Sequence, residues 1–167
     1  MKALSLYQPW ATLIALGAKK IETRSWKTHY RGPLAIHATK KFPDDAVAQC
    51  FMEPFRSILT KHGYIDQKRL WFQDVMGCIV ATCNLVSIES VDAIADAGPG
   101  VYRCGVKLTW PIPEPERSFG NYSRGRYMWL LDDVKPVDPP IPARGSVALW
   151  DWDGSNKKAA SNDPQST

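Results

Sequence analysis

The chain has 167 residues, which is enough for one domain with a substantial core and too few for two comfortable ones. Its composition, 44% hydrophobic and 23% charged, is that of a globular protein and excludes an intrinsically disordered chain. The net charge of +4 permits a nucleic-acid partner without requiring one. The sequence shows neither a secretory signal nor an apolar run of the roughly 18 residues that cross a membrane, so we expect a cytoplasmic protein with no membrane partner.

The first 38 residues predict a strand, a helix and two further strands. Lys2 to Tyr7 alternates largely between apolar and polar residues, as a strand does, and Pro9 then opens a helix that ends near Gly17. We assign Trp10 to the apolar stripe of this helix and hence to the core. A second strand runs from Lys20 to Trp26, and a third runs from Leu34 to Ala38 after a turn at Arg31-Gly32-Pro33. On the third strand we expect His37 to be a hydrogen-bonded core residue.

Side chains of the second strand divide between two faces, because successive residues of a strand point in opposite directions. One face is predicted to carry Lys20, Glu22, Arg24 and Trp26, and the other Ile21, Thr23 and Ser25. The first face therefore presents one carboxylate between two cations.

The remainder of the chain predicts helices followed by several strands. Asp44 to His62 has helical spacing, and Pro54 within it predicts either a kink or two short helices. Gly77 to Ile88 is the best candidate for a long buried strand, and a short helix follows it from Glu89 to Ala97, ended by Gly98-Pro99-Gly100. We expect further strands near Tyr102 to Trp110, Tyr127 to Val134 and Ser146 to Trp152, with Pro136, Pro139, Pro140 and Pro142 in a stiff connector.

This order of elements favours an α+β fold, a small mixed β-barrel with helices packed outside it. We expect residues 1–153 to form the domain and residues 154–167 to be a flexible polar tail. The cysteines show no C-x-x-C pair, and we expect reduced, buried thiols and neither a metal nor another cofactor. They are Cys50, Cys78, Cys83 and Cys104.

The segment from Lys19 to Lys41 is strongly basic, with seven Lys or Arg residues against a single acid, Glu22. Cations that neutralise phosphates, interleaved with rings on which bases stack, are typical of a nucleic-acid groove. The candidate nucleic-acid contacts in this segment are Arg24, Trp26, Tyr30, Arg31, Lys40 and Lys41. A second basic and aromatic loop, with Tyr122, Arg124 and Arg126, is a candidate for the far wall of the same cleft. The alternative for both groups is an ordinary solvated surface.

The N-terminal residues also resemble a known family. Four segments, in this order along the chain, resemble the signature of the ASCH family. They are Leu4-Ser5-Leu6, Gln8-Pro9-Trp10-Ala11, the pattern G-x-K-x-I-E-x-R-x-W from Gly17 to Trp26, and Tyr30-Arg31-Gly32. That family is named for activating signal cointegrator-1 homology and belongs with the PUA-like barrels. The resemblance implies a barrel of about six strands, with a cleft beside the G-x-K-x-x-E-x-R segment that accepts RNA or a modified nucleobase.

Known activities in the family include removal of the acetyl group from N4-acetylcytidine by a bacterial amidohydrolase, and a ribonuclease activity. The amidohydrolase uses a Lys, a Thr three positions later and a distant Glu. Here Lys19 matches the Lys, but Glu22 stands at the Thr position, and Thr23 lies one step further on, on the opposite face of the strand. The long strand that ends near Glu89 offers no match for the distant Glu.

Two functions therefore remain open from the sequence. The first is a binding module for single-stranded RNA or a modified nucleoside, in which Glu22 either anchors the cations or accepts a hydrogen bond from a base. The second is a small metal-independent hydrolase in which Lys19 and Glu22 share proton transfer. A third interpretation is a groove that contacts another protein.

Overall fold

A computed structural model of the chain describes residues 1–97, 100–103 and 106–154. The described strands and helices follow one another in this order: β1 (Lys2–Leu6), α1 (Trp10–Ala15), β2 (Ile21–Arg24), β3 (Gly32–Ala38), α2 (Asp44–Cys50), α3 (Phe55–Lys61), β4 (Ile65–Asp66), β5 (Arg69–Leu70), β6 (Cys78–Ser90), α4 (Val91–Ala97), β7 (Val101–Arg103), β8 (Val106–Leu108), a 3₁₀-helix (Glu116–Phe119), β9 (Tyr127–Pro142) and β10 (Leu149–Asp151).

The main element is a six-stranded sheet in the order β10-β1-β3-β6-β9-β2, curled into half a barrel. The pair β1–β3 is parallel, and every other pair in this sheet is antiparallel. The strands β4–β5 and β7–β8 form two separate hairpins. The predicted mixed α+β, barrel-like fold is confirmed.

Helix α1 lies between two apolar clusters, which fixes the position of its N-terminus. Its Ala11 and Ile14 pack in the cluster that contains the sheet residues Leu34, Leu85 and Trp129. On the other side, Leu13 packs in a cluster with Phe55, Leu59, Phe72 and Phe119. Because both sides of the helix are covered by buried apolar groups, the loop that leads into it from β1 is held against the edge of the sheet.

The helical segment after β3 forms two helices, which confirms one of the two predicted outcomes. Helix α2 ends at Cys50, and Pro54 directly precedes α3. Proline is tolerated at a helix start because the first N–H groups have no partner within the helix.

Strand β9 is longer than predicted, and the prediction of a proline connector after Val134 is wrong. The strand continues to Pro142 and pairs with β6, with Pro136 opposite Ala81 and Pro142 opposite Cys78. The pairing shifts register between Ile79 and Ala81, so residues 137–140 bulge out of the ladder. Prolines are accommodated there because bulged positions do not require a ladder N–H.

Three other predictions need correction or fall outside the described residues. The strand predicted near Tyr102 to Trp110 is the hairpin β7–β8, and the last strand is reduced to β10, preceded by an irregular exposed segment. The predicted helix end at residues 98–99 and the tail after Gly154 lie outside the described residues, so the tail and the domain boundary stay predictions.

The cysteines that the structure describes are free and buried, as predicted: Cys50, Cys78 and Cys83. Burial raises the pKa of Cys50 and of Cys83 to about 12. Cys104 lies outside the described residues. None of the described helices is long and apolar enough to cross a membrane.

Candidate functional site

A cleft of about 1330 Å³ opens where β1 and β3 end beside β2. Its walls include Ser5 and Leu6 from β1, Glu22 and Arg24 from β2, and the segment 142–148 that leads into β10. The sheet order explains this position, because β10 pairs with β1 and therefore brings the preceding segment over the end of that strand.

The cleft is basic. Four cations line it, Arg24, Lys40, Lys41 and Arg144, against the single carboxylate of Glu22. Within the described residues no ion pair engages Lys40, Lys41 or Arg144, and these side chains are therefore available to an anionic ligand.

Lys40 is also directed by its surroundings. Gly77 has a φ of 72°, which favours glycine, and a Cβ there would lie 2.7 Å from Lys40 Cε. The stem of Lys40 therefore lies directly against the glycine backbone at the cleft wall, where any side chain at position 77 would displace it.

Arg24 is held in place by two neighbours. Its Nη2 donates a hydrogen bond to the carbonyl oxygen of Ser5 at 3.1 Å, and its Nε lies 3.1 Å from Glu22 Oε1. Of the face predicted to carry Lys20, Glu22, Arg24 and Trp26, the last three line the cleft and Lys20 does not. A guanidinium fixed in this way is positioned before a ligand arrives, which lowers the entropy that binding costs.

Two tryptophans line the cleft. Trp26 packs edge-to-face on the buried Trp129, with ring centroids 4.7 Å apart. Trp10 packs edge-to-face on Phe55 at 6.0 Å and is only partly buried, so the assignment of Trp10 to the core is incomplete. Its ring also lines the cleft, a role that the apolar stripe of α1 did not reveal.

His37 is buried and hydrogen-bonded, as predicted, and it borders the cleft as well. Its Nδ1 lies 3.2 Å from Ser5 Oγ and its Nε2 lies 3.1 Å from the carbonyl oxygen of Ala143. Burial lowers the pKa of His37 below its usual value, an effect that the Ala143 carbonyl partly offsets. Gly145 lies so close to this ring that a Cβ there would collide with it.

Lys19 is fully buried and does not line the cleft. Its ammonium donates hydrogen bonds to the carbonyl oxygens of Ile21 at 2.5 Å and Phe119 at 3.0 Å. It also lies 3.5 Å from Glu22 Oε2 and 3.9 Å from Glu116 Oε1. Charges of alternating sign thus run from Glu116 through Lys19 and Glu22 to Arg24, and this row fixes the carboxylate of Glu22 at the cleft wall.

Glu116 was not singled out by the sequence. Its carboxylate accepts hydrogen bonds from the backbone N–H groups of Lys20 at 2.7 Å and Ile21 at 3.2 Å. It therefore binds the start of β2 to the 3₁₀-helix. No local signal in the sequence could indicate this contact, because the residues are more than ninety positions apart.

Two of the predicted contacts lie elsewhere. Tyr30 packs against the core, and its hydroxyl donates to the carbonyl oxygen of Pro33. Arg31 donates to the carbonyl oxygens of Thr28 and Tyr30. Neither residue lines the cleft.

The second basic loop does not form the far wall of the cleft, and that expectation is wrong. Segment 142–148 occupies that position. Arg124 pairs instead with Asp92 at 3.1 Å and Asp96 at 2.9 Å. Tyr122 packs in an apolar cluster, where burial and the charge of Glu116 raise its pKa.

Arg126 lines a second, smaller cavity of about 360 Å³. Trp10 and Glu22 line this pocket as well as the cleft, so the two cavities adjoin at these side chains. Thr23 lines the small pocket and Arg24 lines the cleft, on opposite faces of β2, whereas Glu22 lines both cavities. Among the described residues no three His, Cys, Asp or Glu side chains come together as a metal site would require.

Comparison with known proteins identifies the family. A sequence model of the ASCH domain matches residues 4–131 of the chain. The chain belongs to the ASCH domain family. This family is PUA-like and is associated with RNA binding.

Among the curated relatives of this ASCH chain are the proteins named activating signal cointegrator 1 from Mus musculus and from Homo sapiens, each 55% identical over 157 residues. The match covers 94% of the chain but only 23% of each relative, so the chain spans about a quarter of their length.

Solved structures of ASCH proteins from Zymomonas mobilis are also similar. The ASCH protein itself is 14% identical, covers 86% of this chain and 72% of its own, and has a TM-score of 0.41. A point variant of the same protein is 15% identical to this chain and has a TM-score of 0.45. That match covers 89% of this chain and 85% of the variant's chain.

The ASCH signature residues of the chain meet at the two cavities. Trp10 comes from the segment Gln8-Pro9-Trp10-Ala11, and Glu22 and Arg24 come from the G-x-K-x-I-E-x-R segment. The Lys of that segment, Lys19, lies behind the wall and supports it. The signature therefore contributes both to the wall of the cleft and to its support.

Proposed function

We propose that the cleft binds single-stranded nucleic acid, either RNA or a segment that carries a modified nucleobase. The observation that carries this proposal is a cleft with four cations and one carboxylate, in which three of the cations have no acidic partner among the described residues. A cluster of unpaired cations attracts a polyanion, because each phosphate contact releases counterions from the strand. The rings of Trp10 and Trp26 provide surfaces on which bases stack.

Each part of the lining has a proposed role. The four cations contact phosphates: Lys40, Lys41, Arg144 and Arg24. Of these, Arg24 is already held in position by Ser5 and Glu22. Trp26 and Trp10 stack on bases. Glu22 accepts a hydrogen bond from the amino or ring N–H group of a base. These contacts suit an unpaired strand, because base edges and faces are exposed only there.

The test is the salt dependence of binding. We expect Arg144→Gln to lower the affinity for a fluorescent single-stranded RNA and to reduce the slope of log K against log salt by about 0.7, the value for one lost phosphate contact on a single strand. Arg144 is exposed and unpaired within the described ranges, so its replacement should leave folding unchanged.

Arg124→Gln is the matched control, since Arg124 carries the same charge but is neutralised by Asp92 and Asp96 away from the cleft. Fluorescence anisotropy from about 50 to 200 mM salt measures both variants. Equal slopes for wild type and Arg144→Gln, or an equal change in the control, would contradict the proposed role of the cleft.

The hydrolase proposal receives less support from the geometry. It requires Lys19 to exchange a proton with a substrate, and the Lys19 ammonium is fully buried and already donates to two carbonyl oxygens. Incubation of the protein with N4-acetylcytidine and with RNA tests this alternative directly. Turnover that disappears in a folded Lys19 variant would favour a hydrolase over a binding module.

A protein partner for the same groove is the remaining proposal. Addition of a short RNA to such a complex tests it, because displacement of the partner would place both ligands in one cleft. The cytoplasmic location likewise stays a prediction.

A further inference from the structure

The small pocket beside the cleft has the dimensions of a site for one nucleotide. Its volume of about 360 Å³ lies at the lower end of the range for small-molecule pockets, whereas the cleft at about 1330 Å³ has room for several nucleotides. The two cavities share Trp10 and Glu22. A strand that lies in the cleft can therefore place one of its nucleotides in the pocket without leaving the cleft.

Arg126 gives the pocket a guanidinium without an ion-pair partner among the described residues. Its Nε donates to the carbonyl oxygen of Asn121 at 3.1 Å and its Nη2 to that of Thr23 at 3.0 Å. In the described part of the chain no carboxylate forms an ion pair with it, in contrast to Arg124. Two neutral carbonyls orient the guanidinium and leave its charge and its Nη1 group for an anion, and a phosphate suits the planar fork of Arg.

Glu22 gives the same pocket unused acceptors. Its carboxylate lies 3.1 Å from Arg24 Nε and 3.5 Å from Lys19 Nζ, yet no group among the described residues donates a hydrogen bond to it in good geometry. The residue is only 8% exposed. A carboxylate this buried is costly without N–H donors, and a ligand in the pocket can supply them.

The donors that match a carboxylate are two parallel N–H groups, one for each oxygen. On its Watson–Crick edge guanine offers such a pair, the ring N1–H and the exocyclic amino group. Adenine and cytosine each offer one amino group beside a ring nitrogen that is itself an acceptor, and uracil offers one N–H between two carbonyls. An acceptor opposite a carboxylate is repelled, so the three other bases fit this wall less well.

We propose that the small pocket selects one guanine nucleotide from the strand in the cleft. The guanine ring stacks on Trp10, its N1–H and amino groups donate to Glu22, and its phosphate contacts Arg126. This inference rests on the proposed binding of single strands and adds a base preference to it.

The test compares short RNA strands that differ at one position. An eight-residue oligouridine is the reference, and three strands carry G, A or C at the centre. A matched bidentate contact corresponds to roughly tenfold discrimination, so we expect the strand with G to bind about tenfold more tightly than the reference. The strands with A and C should stay within about threefold of the reference.

The outcomes separate this inference from the proposed function. If none of the four strands binds at low salt, the proposed binding of single strands by the cleft is disproved. If all four strands bind with equal affinity, the cleft binds nucleic acid and the guanine pocket is disproved. Tighter binding of the strand with A or C would also overturn the assignment.

Variants locate the preference in the pocket. We expect Arg126→Gln to reduce the advantage of the G strand to less than about threefold while oligouridine affinity changes little. Glu22 also lines the cleft, so for Glu22→Gln the readout is the ratio of the two affinities, which should fall to less than about threefold as well. Arg124→Gln, the neighbouring paired arginine, should retain the full advantage. Because Arg126 also joins β2 to the loop after the 3₁₀-helix, thermal unfolding of each variant is measured first. The comparison of strands on the wild-type protein decides the proposal even if a variant fails to fold.

Discussion

Trp10 shows how one residue can serve both the fold and the ligand. Its ring packs edge-to-face with Phe55, and the residue also borders the cleft and the small pocket. The position follows from the loop between β1 and α1, which places the first residue of the helix at the open end of β1. A partly buried ring is held rigidly by the core and costs little entropy when a base stacks on it.

We therefore expect Trp10→Ala to weaken binding of single-stranded RNA by about 1 to 3 kcal/mol, the usual contribution of one stacked base. The control is Trp71→Ala, which removes a tryptophan that is 42% exposed and lies outside both cavities. Anisotropy titrations measure the affinity, and urea unfolding confirms that both variants are folded. A similar loss in both variants would show that Trp10 does not contact the strand.

At single positions, the sequence predicts those cleft residues whose side chains alternate along a strand. Glu22 and Arg24 follow one another at period two, and both line the cleft. The exposure of Trp10 and the position of Arg126 could not be predicted, because they depend on how the loop after the 3₁₀-helix packs against β2. The burial of Lys19 depends on the 3₁₀-helix, since one of its carbonyl partners belongs to Phe119, the last residue of that helix.

At the level of elements, β2 is held at both edges of its short length. It pairs with β9 along residues 21–24, and the N–H groups of its first residue, Ile21, and of the preceding Lys20 bond to Glu116 of the 3₁₀-helix. Lys19 adds a second connection, because its ammonium bonds to Phe119 at the end of that helix. The wall of the cleft is therefore rigid where Glu22 and Arg24 project from it.

We expect Lys19→Met to lower the free energy of unfolding by about 3 kcal/mol or more, since it leaves Glu22 without one buried counter-charge and two carbonyl oxygens without a donor. Lys20→Met is the matched control. Its side chain is exposed and only its backbone N–H bonds to Glu116, so the expected change is within about 0.5 kcal/mol. Chemical denaturation measures both. If the two variants lose equal stability, the buried ammonium does not support the wall.

The elements that the sequence predicted well are those with strong local patterns. Hydrophobic periodicity, with Pro and Gly residues that mark the ends of elements, predicts strands β1 and β3, helix α1 and the long strand β6. The C-terminal half of β9 was missed because its prolines normally exclude a strand. The bulge opposite Ile79 and Ala81 accommodates Pro139 and Pro140, and Pro136 and Pro142 lie where β9 pairs with β6 but no longer with β2. Strands as short as β4 and β5 carry no period to detect.

In the molecule as a whole, the cleft is completed by residues from opposite ends of the chain. Strand β10 pairs with β1, so segment 142–148 lies over residues that precede it by more than a hundred positions. His37 joins the two parts. Its Nε2 faces the Ala143 carbonyl, which can only accept, so this nitrogen carries the proton in the neutral ring. Ser5 Oγ accepts from Trp150 Nε1 and donates to His37 Nδ1.

This network predicts a dependence of stability on pH. Burial lowers the pKa of His37 in the folded state below the value of 6.5 for an unperturbed side chain, so between these two values the unfolded chain binds more protons than the folded one. The stability that the neutral His37 contributes to the folded state is fully present above about pH 6.5 and is lost as the pH falls below that value. The free energy of unfolding then decreases by at most about 1.4 kcal/mol per pH unit. Protonation would also place a second N–H against Ser5 Oγ and force that hydroxyl to turn.

The measurement is the free energy of unfolding in urea from pH 5 to pH 8 for the wild type and for His37→Gln, a variant that cannot titrate in this range. We expect the difference between wild type and variant to be constant above pH 7 and to shrink as the pH falls, because only the wild type takes up the proton on unfolding. RNA affinity of the wild type over the same range shows whether the loosened segment 142–148 also affects the cleft. A stability difference that stays constant from pH 5 to pH 8 would show that His37 has the same pKa in both states.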